Sequence, residues 1–310
     1  MKNIAFVFPG QGAQFPGMGK EFYDTFAEAK EVYQNASDVC GIDVADLCFS
    51  TNEQLNITCF TQIAIFTTTL AILRVVEKMG VKPKVNAGLS LGEYTALASS
   101  DVMNEEDLFE LVKQRGIYMQ EAYPTGGAMA AVMGLNFKTV EEICSNRKNT
   151  YIANYNCPGQ IVVTGEKIEL ENVYDELESA GARKIIPLNV SGPFHSPLLA
   201  AASEKLETAL SNLQIKNFDV PYVSNVTAEY IYGPKSVKSL LCRQVISAVR
   251  WQQSVENMIA KNVDCFIEIG PGRTLSNFIK KINPGVQVTN VQNLEDLEKI
   301  KKIVGGISNG

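Results

Sequence analysis

In Gly88-Leu89-Ser90-Leu91-Gly92 a serine is centred between two glycines. The residues before it, from Val85, read as a short apolar strand, and those after it read as a helix. Strand, sharp turn and helix form the arrangement that lifts a serine Oγ out of a sheet as a nucleophile. So tight a turn needs small neighbours, because side chains at the flanking positions would collide. It also aims the N–H of Leu91 at a developing oxyanion, and the helix N-terminus adds a field that favours negative charge. With glycine near 7% of residues, the pattern arises by chance in about one chain in ten of this length, so its flanks carry the argument.

The chain has one histidine, His195. If an imidazole activates Ser90, His195 must supply it, and imidazole is the usual base for a serine nucleophile. It lies in Gly192-Pro193-Phe194-His195-Ser196-Pro197, a loop just before a helical pattern, where catalytic groups held by a scaffold commonly sit. Pro9-Gly10-Gln11-Gly12 follows the first apolar run, and a Gly-rich turn there can offer backbone N–H groups to an anion. It has no P-loop lysine and no G-x-G-x-x-G, so nucleotide binding is unsupported; a second oxyanion donor at Gln11 is the functional reading. Arg115, Asn156 and Gln160 are further polar groups near turns or on a helix. Taken singly, all of these have plainer explanations: an ordinary tight turn, a loop histidine, a solvated helix arginine, loop hydrogen bonders.

The elements that must position these residues follow from periodicity and breakers. Ile4 to Phe8 reads as a strand, Lys20 to Ala36 as one helix and Thr61 to Gly80 as a long buried helix. Glu105 to Ala122 is a helix stopped by Pro124-Thr125-Gly126-Gly127. Between 128 and 188 the order is strand, helix, strand, strand, helix, strand, a ferredoxin-like pattern. A helix from Pro197 to Leu213, a strand Tyr222 to Ser224, two helices, a strand Cys265 to Ile269 and a helix to Ile282 follow. Strands alternating with helices predict an α/β fold with a mostly parallel sheet. The expected division is a large α/β domain of residues 1–126 and 190–310 with a small inserted domain of residues 127–189. The Gly-rich tail from Ile303 is expected to fray.

Composition narrows the class. Apolar residues make up 45% of the 310 and charged residues 20%, which is globular composition. A net charge of −6 excludes a protein built to coat nucleic acid. The N-terminal apolar run ends at Pro9-Gly10, too short for a signal-peptide core, and Ile63 to Val76 carries three threonines and Arg74, short of a membrane span. Seven cysteines without C-x-x-C argue against a disulfide framework and a zinc site. The expectation is a cytoplasmic, monomeric protein with no metal, no nucleic-acid partner and no membrane partner.

Seven segments in order and spacing carry a more specific signal: FPGQGAQFPGMG, GLSLGEYTAL around Ser90, QRGIYMQEA around Arg115, NYNCPGQIVVTG, PFHSPL around His195, VRWQQSVENM and EIGPGRTLS. From residue 1 to about residue 282 the chain resembles the malonyl-CoA:acyl carrier protein transacylases of dissociated fatty acid synthesis. The resemblance implies a large α/β-hydrolase-like domain and a small ferredoxin-like domain with the site in the cleft between them. It implies malonyl-CoA and phosphopantetheinylated acyl carrier protein as substrates and no permanently bound cofactor. Ser90 would be the nucleophile and His195 the base, a dyad working by a ping-pong route. Backbone N–H groups of Gln11 and Leu91 would form the oxyanion hole, and Arg115 would grip the malonyl carboxylate. The backbone carbonyl of Arg250 would steady His195. Phe194, Asn156 and Gln160 would line the pocket, with Phe194 favouring malonyl over methylmalonyl.

One departure stands out: the family often has His where this chain has Leu89, which leaves the pathway open. A stand-alone acyltransferase or editing thioesterase of a polyketide synthase is the alternative. A serine esterase fits less well, since no HGGG-type segment and no third-member acid is evident. A binding module without activity would lack the serine or the histidine. An acidic enzyme acting on two acidic substrates needs a local basic patch, and Arg183-Lys184 and Lys280-Lys281 are the candidates.

Overall fold

Ile4–Phe8 forms β1, buried along its whole length. Ile4, Phe6 and Phe8 enter one hydrophobic core and Ala5 and Val7 another, the period-2 split of a strand covered on both faces. The computed structural model describes residues 2–190 and 192–308. The further strands are β2 (Val85–Gly88), β3 (Gly127–Met133), β4 (Thr150–Cys157), β5 (Gln160–Glu166), β6 (Lys184–Pro187), β7 (Tyr222–Val223), β8 (Tyr230–Ile231), β9 (Cys265–Ile269) and β10 (Gln287–Val291). Six of them form one sheet in the order β10-β9-β1-β2-β7-β8. It is parallel throughout except for β7 against β8. The other four form an antiparallel sheet in the order β4-β5-β3-β6.

The helices begin with α1 (Lys20–Thr25), α2 (Ala27–Cys40), α3 (Val44–Phe49), α4 (Thr58–Lys78), α5 (Gly92–Ser99) and α6 (Glu105–Ala122). They continue with α7 (Phe137–Ser145), α8 (Lys167–Ser179), α9 (Ala200–Ser211), α10 (Val237–Val245), α11 (Trp251–Ala260), α12 (Thr274–Ile282) and α13 (Leu297–Ser308). Side chains of α2, α4, α5, α6 and α9 cover one face of the parallel sheet, and α11 and α12 cover the other. A separate core under the antiparallel sheet joins Ala130, Val132 and Val163 to Val140 of α7 and Leu170, Val173 and Leu177 of α8.

Several boundaries differ from the sequence reading. The helix expected over 20–36 breaks at Phe26, whose extended backbone (φ −118°, ψ 127°) lets its N–H bond Phe22 O while its ring packs on Phe22 at 6.1 Å. α4 starts earlier than expected and reaches 21 residues. It is the one helix among the described residues long and apolar enough to cross a membrane, and it lies largely inside the fold. α3, β8, β10 and α13 were not expected; each is short or follows a loop that breaks the pattern. The Gly-rich stretch from Ile303 stays helical to Ser308, because Leu297, Ile300 and Ile303 of α13 pack into the core; residues 309–310 lie outside the described residues.

Two features tie the antiparallel sheet to the rest. The outer edge of β4 bonds the segment before α11, with Tyr155 N–H donating to Val249 O at 2.9 Å and Val249 N–H to Ala153 O at 2.8 Å. Gly127, where the chain enters this sheet, lies so close to Pro193, where it has left, that a Cβ there would overlap the proline ring.

Candidate active site

The turn between β2 and α5 needs its glycines. A Cβ on Gly88 would overlap the carbonyl of Gly92, and one on Gly92 would overlap the carbonyl of Phe8. Ser90 between them has φ +53°, a left-handed conformation that costs a non-glycine residue roughly 1–3 kcal/mol and persists only where its surroundings impose it. Here they do. Ser90 N–H donates to Asn225 Oδ1 at 2.7 Å, and Ser90 O accepts from Gln244 Nε2 at 3.0 Å and from Glu93 N–H at 3.1 Å. Asn225 Nδ2 in turn donates to Gly88 O at 2.6 Å.

The Ser90 Oγ lies 2.7 Å from His195 Nε2. His195 also has a positive φ, +61°, in the loop before the short 3₁₀ turn Pro197–Leu199, and it is 4% exposed. Its Nδ1 lies 2.9 Å from Gln244 O. A carbonyl can only accept, so the proton sits on Nδ1 and the Nε2 lone pair faces the serine hydroxyl, the tautomer a general base needs. Burial, reinforced by the positive charge of Arg115, pushes the imidazole down from 6.5 to about 4, so it is neutral at neutral pH.

The carbonyl that holds His195 is therefore that of Gln244, not that of Arg250 as expected. Arg250 immediately precedes α11, and its carbonyl is taken by the first turn of that helix, accepting from Ser254 N–H at 2.9 Å and Ser254 Oγ at 2.8 Å. Gln244 stands in the last turn of α10, where helix carbonyls lose their partners four residues on and can serve other donors.

Arg115, on α6, is fully buried and reaches the same point. Its Nη2 donates to Ser90 Oγ at 3.1 Å and to Gln244 Oε1 at 3.1 Å, and its Nη1 donates to Gln62 Oε1 at 2.7 Å. The guanidinium lies over the ring of Tyr94, 5.2 Å from its centroid. It forms no salt bridge and its Nε has no partner among the described residues. Burial lowers its pKa, while Tyr94 and Glu93 work against that.

Ser90, His195 and Arg115 open into a cavity of about 250 Å³. Gln11 lines it, with its side-chain Nε2 tied back to Thr58 Oγ1 at 3.3 Å. The backbone N–H groups of Gln11 and of Leu91 have no acceptor among the described residues. The opposite wall comes from the antiparallel sheet and includes Met129, Ala131 and Val162. Phe194, Asn156 and Gln160 line the cavity as well. Asn156 is buried, and its Oδ1 has no partner among the described residues; Gln160 Oε1 accepts from Lys281 Nζ at 3.4 Å. Sequence reading did not single out Gln62, Glu93, Asn225 or Gln244. Only Glu93 carried a signal, one helical turn after the serine; the others stand in unremarkable helix or loop sequence.

The arrangement can form and break an acyl-serine ester: a neutral base meets the hydroxyl, Gln11 and Leu91 carry N–H groups without an acceptor among the described residues, and a buried cation lies within hydrogen-bond distance of the same hydroxyl. The profile of the acyl transferase domain family matches residues 5–302. A malonyl CoA-acyl carrier protein transacylase of Bacillus subtilis is 40% identical over 304 residues, covering 96% of each chain. The crystal structure of a malonyl CoA-acyl carrier protein transacylase from Clostridium perfringens is similar over 99% of this chain and 98% of its own, with a TM-score of 0.94 and 45% identity. A malonyl-transacylase solved in complex with its type II PKS acyl-carrier protein has a TM-score of 0.94 at 35% identity, over 96% of this chain and 99% of its own.

Proposed function

The chain belongs to the acyl transferase domain family, and from that premise we propose that it moves a malonyl group from malonyl-CoA to the phosphopantetheine thiol of acyl carrier protein in fatty acid synthesis. The observation that carries the reading is Arg115: a buried guanidinium without a carboxylate partner among the described residues, one hydrogen bond from the serine hydroxyl. Acetyl and malonyl differ by one carboxylate, and only a cation rewards that difference.

The reaction runs in two halves. Ser90 Oγ attacks the thioester carbon as its proton passes to His195 Nε2, and the Nδ1–H bond to Gln244 O steadies the imidazolium. The N–H groups of Gln11 and Leu91 receive the oxyanion; one such donor is worth about 2.7–4 kcal/mol of barrier. Collapse expels the CoA sulfur, which takes the proton from His195 and leaves a malonyl-serine ester. The carrier-protein thiol then gives its proton to His195 and attacks the ester; the acyl–Oγ bond breaks, the malonyl thioester leaves, and Ser90 Oγ takes the proton back from His195 Nε2. A malonyl carboxylate on Arg115 offsets the charge that helps depress His195, so the base strengthens when the correct acyl group is bound.

Residues 127–189 act as a small unit walling the site, and the large unit of residues 1–126 and 190–310 carries the dyad. Carrier protein approaches over the cavity rim, where exposed Lys281 meets Gln160. The solved relative in complex with its acyl-carrier protein supports such a partner. Incubation with malonyl-CoA adds the mass of a malonyl group to the wild-type chain and none to Ser90→Ala. Label on Ser90→Ala at the wild-type level overturns the assignment.

A further inference from the structure

Glu93 lies beneath the nucleophile, fully buried, and the reaction just described makes no use of it. Its Oε2 accepts from Gln244 Nε2 at 2.6 Å and from Asn225 N–H at 3.1 Å. Those two residues hold the Ser90 backbone, Asn225 at its N–H and Gln244 at its carbonyl. Gln244 also gives Oε1 to Arg115 and its main-chain carbonyl to His195. Nucleophile, base and acyl-binding cation are thus all set by a pair of residues that one carboxyl group anchors.

The orientation of Gln244 is where that anchor acts. A glutamine amide keeps its shape when turned end for end, but its donor and acceptor exchange. Turned round, Gln244 would set Oε1 against Ser90 O and Asn225 Oδ1 and its NH₂ against Arg115, a repulsive contact on each side. Oε2 of Glu93, accepting from Nε2 at 2.6 Å, the shortest of these contacts, favours the same orientation as Ser90 O, Asn225 Oδ1 and Arg115 and tethers the amide from below. A buried carboxyl is a costly way to place two hydrogen bonds. Burial raises Glu93 to about 7, against the pull of Gln244, Asn225 and Arg115.

We propose that Glu93 is a positioning residue: by anchoring Gln244 and Asn225 it holds Ser90 in its left-handed conformation and sets Arg115 and His195 in register with it. This rests on the roles assigned above to Ser90, His195 and Arg115. Glu93→Ala, Glu93→Gln, Gln244→Met and the double variant Glu93→Gln/Gln244→Met test it with two readouts. One is the rate at which malonyl-CoA acylates the enzyme; the other is the NMR signal of the His195 Nδ1–H, unambiguous because the chain has one histidine.

Glu93→Ala is expected to slow acylation about 100-fold, the cost of displacing reacting groups by an ångström, and to move or broaden the Nδ1–H signal. Glu93→Gln keeps the acceptor and is expected to stay within about fivefold of wild type. In the Gln244→Met background the same change is expected to matter less than about twofold, because one of the two groups it acts through is gone and only the Asn225 N–H contact remains. A folded Glu93→Ala with an unmoved signal and acylation within about threefold of wild type overturns the proposal. If Glu93→Ala does not fold, a slowing by Glu93→Gln of more than about fivefold in the wild-type background, or of more than about twofold in the Gln244→Met background, overturns it. If wild type itself takes no malonyl group, the proposed function fails, while the Nδ1–H signal of the variants still decides whether Glu93 positions His195.

Discussion

The two sides of the cavity are built on opposite plans. On the parallel-sheet side, Ser90, His195, Arg115, Gln244, Asn225 and Glu93 form one hydrogen-bonded network, and both the serine and the histidine are held at positive φ. The antiparallel-sheet side offers apolar Met129, Ala131 and Val162, polar Asn154 and Gln160, and an acceptor without a partner among the described residues, Asn156 Oδ1. Even the backbone differs. The elbow is locked by glycines with no room for a methyl group, whereas β4 slips register twice against β5, between Ile152 and Asn154 and between Tyr155 and Cys157. The second slip makes Asn156 the extra residue, which is how a bulge re-aims a side chain toward a site. A chemical step needs groups fixed to fractions of an ångström; recognition of an acyl chain needs volume and a few polar contacts.

The sharpest contrast is between glycines. Gly88→Ala forces a Cβ into the Gly92 backbone and is expected to cost more than about 4 kcal/mol, seen as loss of soluble protein or a collapsed urea midpoint. Gly159→Asn, in the β4–β5 turn at φ +70° with its nearest neighbour 3.9 Å away, is expected to cost less than about 1 kcal/mol. Equal losses would erase the distinction between the locked elbow and the open β4–β5 turn.

His195→Ala is expected to slow acylation by about 10²–10⁴-fold, with the fold retained. Activity at a tenth of wild type or better would remove the base from the network. Arg115→Ala is expected to lower kcat/KM for malonyl-CoA by about 10²–10³-fold, since it removes the charge opposite a buried carboxylate. Acetyl-CoA makes no such contact, so its transfer is expected to fall much less, by what the lost hydrogen bonds to Ser90 Oγ and Gln244 Oε1 cost; an equal fall for both substrates would make Arg115 structural.

The network also leaves a signature in pH. Folding lowers His195 from 6.5 to about 4, so between those values the unfolded chain holds the extra proton, and stability falls as pH falls. Folding raises Glu93 from 4.5 to about 7, so there the folded chain holds the extra proton, and stability falls as pH rises. From about pH 4.5 to 6.5 the two slopes cancel. His195→Ala removes one of them, and its stability relative to wild type is expected to improve by on the order of 3 kcal/mol between pH 6.5 and 4. Parallel pH curves from urea melts of the two proteins would contradict this. For acylation by the free enzyme, the expected rate climbs through about pH 4 as His195 loses its proton, and ionisation of Glu93 near pH 7 changes it by no more than the roughly fivefold expected of Glu93→Gln, because Oε2 accepts in either state.

The smallest effect is expected on the recognition side. Asn156→Ala removes an acceptor that nothing among the described residues satisfies, so stability is expected to hold or rise, while KM for malonyl-CoA rises less than about tenfold with kcat unchanged. A fall in kcat would place Asn156 with the network instead.

What could be read from the sequence divides along the same line. The elbow is legible because its cause is local: Gly88 and Gly92 stand where backbone meets backbone, and the apolar run before them and helix pattern after them follow from spacing alone. The strand and helix order of residues 127–187 is legible for the same reason, since period-2 and period-3.6 patterns record which face is buried. The single histidine, Arg115 and Gln11 are visible as residue types with the right chemistry, and they line one cavity. The partners that hold them are not. Asn225 reaches Ser90 across 135 residues and Gln244 reaches Glu93 across 151, and the carbonyl under His195 proved to belong to the end of α10 rather than to the start of α11. Hydrogen bonds of this kind depend on how far each helix is rotated and where it stops, to about an ångström. Periodicity says which face of a helix is buried; it does not say which carbonyl at the helix end meets a ring nitrogen arriving from another part of the chain.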